Sequence, residues 1–173
     1  MTDTEYQNKS AVSGRMGKAT EYLVAASCIL GTNGVLGVST SLVDDEGVDL
    51  LFHRRGGTAM LAVQVKARMS TTTTLGKDRM LTSVRSQSFV PRPNLDMLFV
   101  AVDVAPASIR TAWMMPSQTF HALVPQPNGN GDLRFSASLK AASADQWSPF
   151  RIPGPYLPDH IHQRLMALDG LDR

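Results

Sequence analysis

Apolar and polar positions follow two different periods along this 173-residue chain. From Lys18 to Leu30, the apolar residues Tyr22, Leu23, Ala26, Ile29 and Leu30 recur at spacings of three and four, which predicts a helix with one buried stripe. Gly31 is placed to stop it, and Gly34 is a second breaker. The period then falls to two. Val35–Leu42 is a β-branched run, Val48–His53 a second strand and Met60–Arg68 a third. They are separated by the turns Asp44-Asp45-Glu46-Gly47 and Arg54-Arg55-Gly56-Gly57, and connections this short predict an antiparallel meander. Met97–Val104 is almost continuously apolar, as expected of a strand covered on both faces. Ile109–Met115 reads as its hairpin partner. Ser117 is placed to cap a short helix, Gln118–Leu123. Pro125–Gly131 reads as a loop, Leu133–Leu139 as a weaker strand and Pro158–Leu168 as a terminal helix with Ile161, Leu165 and Leu168 on one face.

Two stretches lack such a pattern. Residues 1–14 are polar and aperiodic and read as a flexible lead-in to one domain spanning 15–173. Ser70–Asn94 is rich in Thr, Ser, Arg and Lys, with room for a short helix around Met80–Ser88; a polar segment of that length inside a domain is usually functional or mobile. The resulting order predicts a mixed α/β fold, a central sheet with helices packed on it.

Composition narrows the class. Hydrophobic residues make up 43% and charged residues 18%, as in folded globular chains, and the length suits one domain. No apolar run approaches the roughly 18 residues that would span a bilayer, and Met1–Met16 has no hydrophobic signal region. Cys28 is the single cysteine, so the chain makes no internal disulfide and no cysteine-based zinc site; the expected compartment is reducing, most simply the cytoplasm. The net charge is only +2, but it is unevenly spread. Residues 53–92 hold eight basic residues against one acid, Asp78, while the rest of the chain is net acidic. Such segregation points to a polyanion-binding surface.

Polar residues interrupt otherwise apolar elements at Glu21 on the first helix, at Asp49 in EGVDLLF and at Gln64 and Lys66 in LAVQVKAR. Alternation along a strand puts Gln64 and Lys66 on one face and Val63 and Val65 on the other. Asp49 and Gln64 fall on strands expected to be neighbours, so their side chains can converge at the sheet rim. This set suits metal-assisted phosphodiester hydrolysis. Mg²⁺ takes six oxygen ligands, and Asp49, the Gln64 amide oxygen and the Val65 carbonyl are candidates. Glu21 can bind a second ion, hold a metal-bound water or orient the site. The metal would acidify its water and offset charge on the scissile phosphate. Lys66 would position that water or neutralise the transition state. Arg68, Lys77, Arg79 and Arg85 would hold flanking phosphates.

Glu21, Asp49 and then Gln64-Val65-Lys66 after a hairpin resemble the PD-(D/E)XK nuclease superfamily. The string GKATEYLVAASCILGTNGVLGVSTSLVDDEGVDLLFHRRGGTAMLAVQVKAR is similar to archaeal Holliday-junction resolvases and to small PD-(D/E)XK endonuclease domains. MLFVAVDV…IRTAWMMPSQTF is similar to the second half of the latter. The resemblance implies a restriction-endonuclease-like α/β core and Mg²⁺- or Mn²⁺-dependent hydrolysis of DNA, with catalysis by Glu21, Asp49, Gln64 and Lys66. It departs from the family pattern at Gln64, where the usual residue is an acid. A neutral amide weakens metal binding unless Glu21 or Asp45 compensates.

Two other readings stand beside this one. A catalytically degenerate member of the same fold would bind nucleic acid or a protein partner. An unrelated α/β domain would carry the charged middle only as a solvated loop. DNA is the expected partner, and cutting both strands of a duplex would favour a two-fold dimer. No membrane and no nucleotide cofactor are expected, since no Walker-type loop is present. His160 and His162 lie two apart and face different ways, which argues against a metal pair. His53 shares a strand face with Asp49. Cys28 reads as a buried small hydrophobe. Trp113 and Trp147 read as core or rim residues, with base stacking open to Trp147.

Overall fold

The structure, a computed structural model, describes residues 3–40 and 47–170, with side chains from residue 11 onward. Helix α1 (Asp3–Gly31) is followed by strands β1 (Leu36–Thr40), β2 (Leu50–Arg54) and β3 (Met60–Met69). A single helical turn α2 (Thr73–Gly76) leads to β4 (Arg79–Arg85), then β5 (Leu95–Asp103), β6 (Ser108–Pro116), α3 (Ser117–Leu123), β7 (Asp132–Ser138), the short β8 (Arg151–Pro153) and α4 (Leu157–Leu168). Six strands form one sheet in the order β1-β2-β3-β5-β6-β8, and β4 and β7 form a separate two-stranded ribbon. Only β3 and β5 run parallel in the large sheet, which is therefore mixed. Parallel neighbours need a long crossover. Here α2 and β4 make it, so the crossover itself supplies half of the ribbon.

The large sheet is covered on both faces. On one, α1 and α4 bury Val24, Cys28, Ile161 and Leu165 against Phe52, Val63, Val65, Leu98 and Val100. On the other, the ribbon and α3 bury Met80, Val84, Phe120, Leu133 and Phe135 against Met97, Phe99 and Trp113. Phe135 stacks on Phe99 with ring centroids 3.8 Å apart and packs against Trp147 at 4.6 Å. Trp147 is buried and belongs to this aromatic core. The burial of β5 along its length explains the continuous apolar run in its sequence. Two carboxylates anchor α4. Asp96, buried in β5, pairs with Arg164 at 3.0 Å, and burial pushes its carboxyl above the usual range while Arg164 opposes the rise. Asp169 accepts the N–H groups of Ala59 and Thr58 and pairs with Arg54, and the Ala59 hydrogen bond leads in holding its carboxyl below the usual range.

The meander, its Arg54–Gly57 turn, β5, β6, β7 and α4 stand where the sequence puts them. Gly47 has φ +67°, as the turn reading requires; the rest of that turn lies outside the described residues. Four expectations change. Helix α1 reaches back to Asp3, through the segment read as a lead-in. Its buried row is Thr20, Val24 and Cys28, while Tyr22, Ile29 and Leu30 are exposed. These smaller side chains at i, i+4 and i+8 let the helix lie close to the sheet, so the largest apolar residues do not mark its inner face. Residues 80–88 are not helical: Met80, Thr82 and Val84 alternate inward along β4. Ser117 is not a cap. Its buried hydroxyl accepts the Arg92 N–H and donates to the Arg92 carbonyl, both at 2.9 Å. Among the described residues no helix is long and apolar enough to cross a membrane.

Candidate active site

The site is made where one strand stops and its neighbour continues. The last register pair of β2 with β3 on this side is Leu50–Val63, whereas β3 runs on to Met69 with β5 as its remaining sheet partner. Past Val63 the β2-side edge of β3 therefore carries backbone groups that no strand among the described residues pairs. Asp49 takes the first of them. Its own N–H donates to the Val63 carbonyl at 3.0 Å, and its carboxylate Oδ2 accepts the Val65 N–H at 2.6 Å. The side chain thus extends the ladder by one bond that a backbone carbonyl would otherwise make, and the carboxylate is fixed beside the main chain of Val65. Continuing the register by one places Asp49 opposite Gln64, as the sequence predicts.

A cleft of about 460 Å³ opens beyond this point, lined by Glu21, Asp49, Val65, Lys66 and Arg68 together with Met16 and Thr82. Helix α1 forms one wall, the free edge of β3 the floor and β4 the other wall. Glu21 is held by Lys18, whose Nζ lies 2.6 Å from Oε2. The Glu21 hydrogen bond is the main reason the Lys18 ammonium is raised above its usual range, and the negative charge of Asp49 adds to it. Lys18 therefore sits in the field of both carboxylates, although nothing in the strand patterns around Asp49 and Gln64 singles it out. Its only sequence signal is the i,i+3 spacing to Glu21 on a helix.

Gln64 and Lys66 share the face opposite Val63 and Val65, which face the α1 side. The four predicted catalytic residues come to one region but not into one cavity. Gln64 lines an adjoining space of about 630 Å³ with Gly47, Lys66, Ser83, Arg85 and Asp132. Lys66 borders both spaces. Gly47 makes room for the Gln64 amide: a Cβ on Gly47 would stand 2.7 Å from Nε2. The donors that line the first cleft are oxygens: two carboxylates and the Val65 main chain. That set suits a hard cation such as Mg²⁺, which is commonly held by one or two carboxylates, waters and the substrate's own phosphate. Among the described residues no group of three His, Cys, Asp or Glu is placed to hold a metal. Asp45, the alternative acid, lies outside the described residues.

The predicted phosphate contacts divide. Arg68 donates through Nε to the Leu81 carbonyl at 2.8 Å and through Nη1 to the Ala67 carbonyl; burial lowers its pKa, and it serves to tie β3 to β4 at the cleft wall. Arg85 is exposed and borders the Lys66 space. Lys77 and Arg79 stand at the far end of β4, where they line a separate pocket with Asp78, Lys140 and Asp145. His53 lies over Gly37 in the β1–β2 pair, away from both cavities. Arg134, on β7, is a basic residue near the cleft that lies outside the cationic sequence segment.

No protein-family model and no curated protein matches the chain. Among solved structures, that of a bacterial homing endonuclease is similar to it with a TM-score of 0.49 and 16% sequence identity, over 85% of this chain and 92% of that one.

Proposed function

We propose that this protein is a metal-dependent DNA endonuclease of the PD-(D/E)XK type that hydrolyses phosphodiester bonds in the cleft between α1, β3 and β4. The observation that carries the reading is the juxtaposition of Asp49, Glu21 and Lys66 around the edge of β3 past Val63. In it, Asp49 and the Val65 carbonyl hold Mg²⁺ or Mn²⁺, and Glu21 adds a second carboxylate to the same cleft. The metal supplies a water of lowered pKa and offsets charge on the phosphate. Lys66, at the junction of the two spaces, stands where a phosphate spanning them would meet an ammonium. Lys18 holds Glu21 in place through their ion pair.

A second reading is favoured by the Gln64 amide, which lines the space bordered by Arg85 and not the cleft of the two carboxylates. In that reading the fold is catalytically degenerate and binds nucleic acid without cutting it. One experiment separates them: cleavage of linear duplex, four-way junction, single-stranded DNA and RNA with Mg²⁺ or Mn²⁺, beside Asp49→Ala and Lys66→Ala proteins. Metal-dependent cutting lost in both variants is the expected result. Cutting that persists in either one sinks the assignment of that residue, and saturable binding without cutting selects the degenerate reading.

A further inference from the structure

The β4–β7 ribbon has two unlike faces. Its inner face closes the aromatic core. Its outer face, set by the alternation Arg79, Leu81, Ser83, Arg85 on β4, is polar and open. The registers Ser83–Arg134 and Arg85–Asp132 place two guanidiniums, a hydroxyl and a carboxylate in one quartet. Arg85, Ser83 and Arg134 are exposed, and the Ser83 hydroxyl lies 3.5 Å from Asp132 Oδ2. Arg79 extends the row and is steadied by a 2.9 Å bond from Nε to Ser136 Oγ.

Three features bear on what this face meets. The first is size. A seven-residue pair of strands is roughly 20 Å long, and a two-stranded ribbon is one of the two elements that the major groove, about 12 Å wide, admits. The second is chemistry. A surface meant only for phosphate gains nothing from a carboxylate at its centre, whereas base edges offer both signs: Arg pairs with guanine O6 and N7, Asp accepts from the cytosine amino group and Ser does either. Leu81 adds an apolar contact of the kind a thymine methyl takes. The third is continuity. Arg85, Ser83 and Asp132 line the same space as Lys66 and Gln64, so a duplex lying on the ribbon runs directly into the candidate site.

We propose that the outer face of the β4–β7 ribbon enters the major groove of duplex DNA and reads base sequence through Ser83, Arg85, Asp132 and Arg134. The proposal rests on the nuclease reading only for its partner, DNA, and its test needs no cleavage. The full-length protein, in EDTA, is used to select from a randomised duplex pool, and the selected duplex is compared with a scrambled one over a range of salt concentrations. The expected result is an enriched motif of several base pairs. Arg134→Ala then weakens the selected duplex by about tenfold to a hundredfold and leaves the scrambled duplex nearly unchanged. Arg134→Lys does not restore it, because an ammonium cannot make the two-pronged contact. Asp132→Asn changes the preferred base at one position. No enrichment, or equal weakening of both duplexes with a shallower salt slope, overturns base reading. Enrichment with no cutting under any metal would instead remove the nuclease and leave the ribbon.

Discussion

Asp49 stands at once in the fold and in the proposed chemistry, and Asp49→Asn separates the two. The carboxylate accepts the Val65 N–H at 2.6 Å in a half-buried setting, a short charge-assisted bond. Asparagine keeps an acceptor oxygen at the same reach and removes the charge. A bond to a charged group is worth about 1.5–3 kcal/mol and a neutral one about 1, so the substitution should cost about 1 kcal/mol. For a chain of this length that lowers Tm by about 2–4 °C. Asp49→Ala removes the acceptor, leaves the Val65 N–H to water and should cost about 1–3 kcal/mol. Cleavage should behave differently. A metal held by one fewer negative ligand loses several kcal/mol of transition-state stabilisation, and at 1.36 kcal/mol per decade a loss of about 3 kcal/mol is more than a hundredfold in rate. Scanning calorimetry and single-turnover cutting of supercoiled plasmid, with Mg²⁺ titrated, read both effects on one sample. An Asp49→Asn protein that is folded, melts within a few degrees of wild type and cuts within threefold of it would show the carboxylate to be only a staple. A drop in Tm far beyond 4 °C would refute the bond arithmetic.

Four further outcomes follow from the packing and the buried charges. Phe135→Ala empties the centre of the aromatic core, where the ring is fully buried and stacked on Phe99, and should cost about 3–5 kcal/mol in chemical denaturation. Arg164→Ala strands the Asp96 carboxylate in the sheet and should cost about 3 kcal/mol, near the low end for a buried pair because Arg164 is itself partly exposed; adding Asp96→Ala should recover part of the loss. Burial pushes the Cys28 thiol up to about 12, so it should resist thiol reagents at pH 8 until the protein unfolds. The Asp169 carboxyl is held below its ordinary value by the Ala59 and Thr58 hydrogen bonds, so its contribution is present above the ordinary carboxylate pKa and fades as pH falls through the lowered one. Melting curves from pH 6 to pH 2 should therefore show a shallower acid limb in Asp169→Asn than in wild type, and equal limbs would contradict the linkage.

The elements legible in the sequence are those whose pattern is local. The meander announces itself by β-branched runs separated by Gly turns, β5 by its unbroken apolar string and α4 by Ile161, Leu165 and Leu168 behind Pro158. Strand β4 is hidden because one of its three inward residues is Thr82, its flanks are Arg and Ser, and its partner β7 lies some fifty residues further on. Its alternation becomes meaningful only once an aromatic core exists for Met80 and Val84 to face. The inner face of α1 is hidden for a related reason: side-chain size is a poor guide where close approach to a sheet selects Val24 and Cys28. In the candidate site, strand alternation brings out Gln64 and Lys66. Ser83, Asp132 and Arg134 arrive by tertiary packing and carry no pattern of their own, and Lys18 is marked only by its i,i+3 spacing to Glu21.

Charge shows the same division between linear and folded order, with a consequence for any polyanion the protein meets. Of the eight basic residues between His53 and Arg92, Arg54 is paired with Asp169 and Arg68 is spent on the Leu81 and Ala67 carbonyls. Lys77 and Arg79 line a separate pocket at the end of β4 opposite Arg85, beside Asp78 and Asp145. Lys66 and Arg85 remain at the site, and β7 contributes Arg134 from outside the segment. The count along the chain therefore overstates the cations at the cleft and omits one that the ribbon delivers. A field built by β3, β4 and β7 together depends on the ribbon's register. A slip of one residue in that pairing would turn one of the two strands over, sending either Arg85 inward and Val84 outward on β4 or Arg134 inward and Phe135 outward on β7. The aromatic core that fixes this register thus also fixes where the positive charge stands, which ties the stability of the Phe99–Phe135 stack to the proposed binding surface on the opposite side of the ribbon.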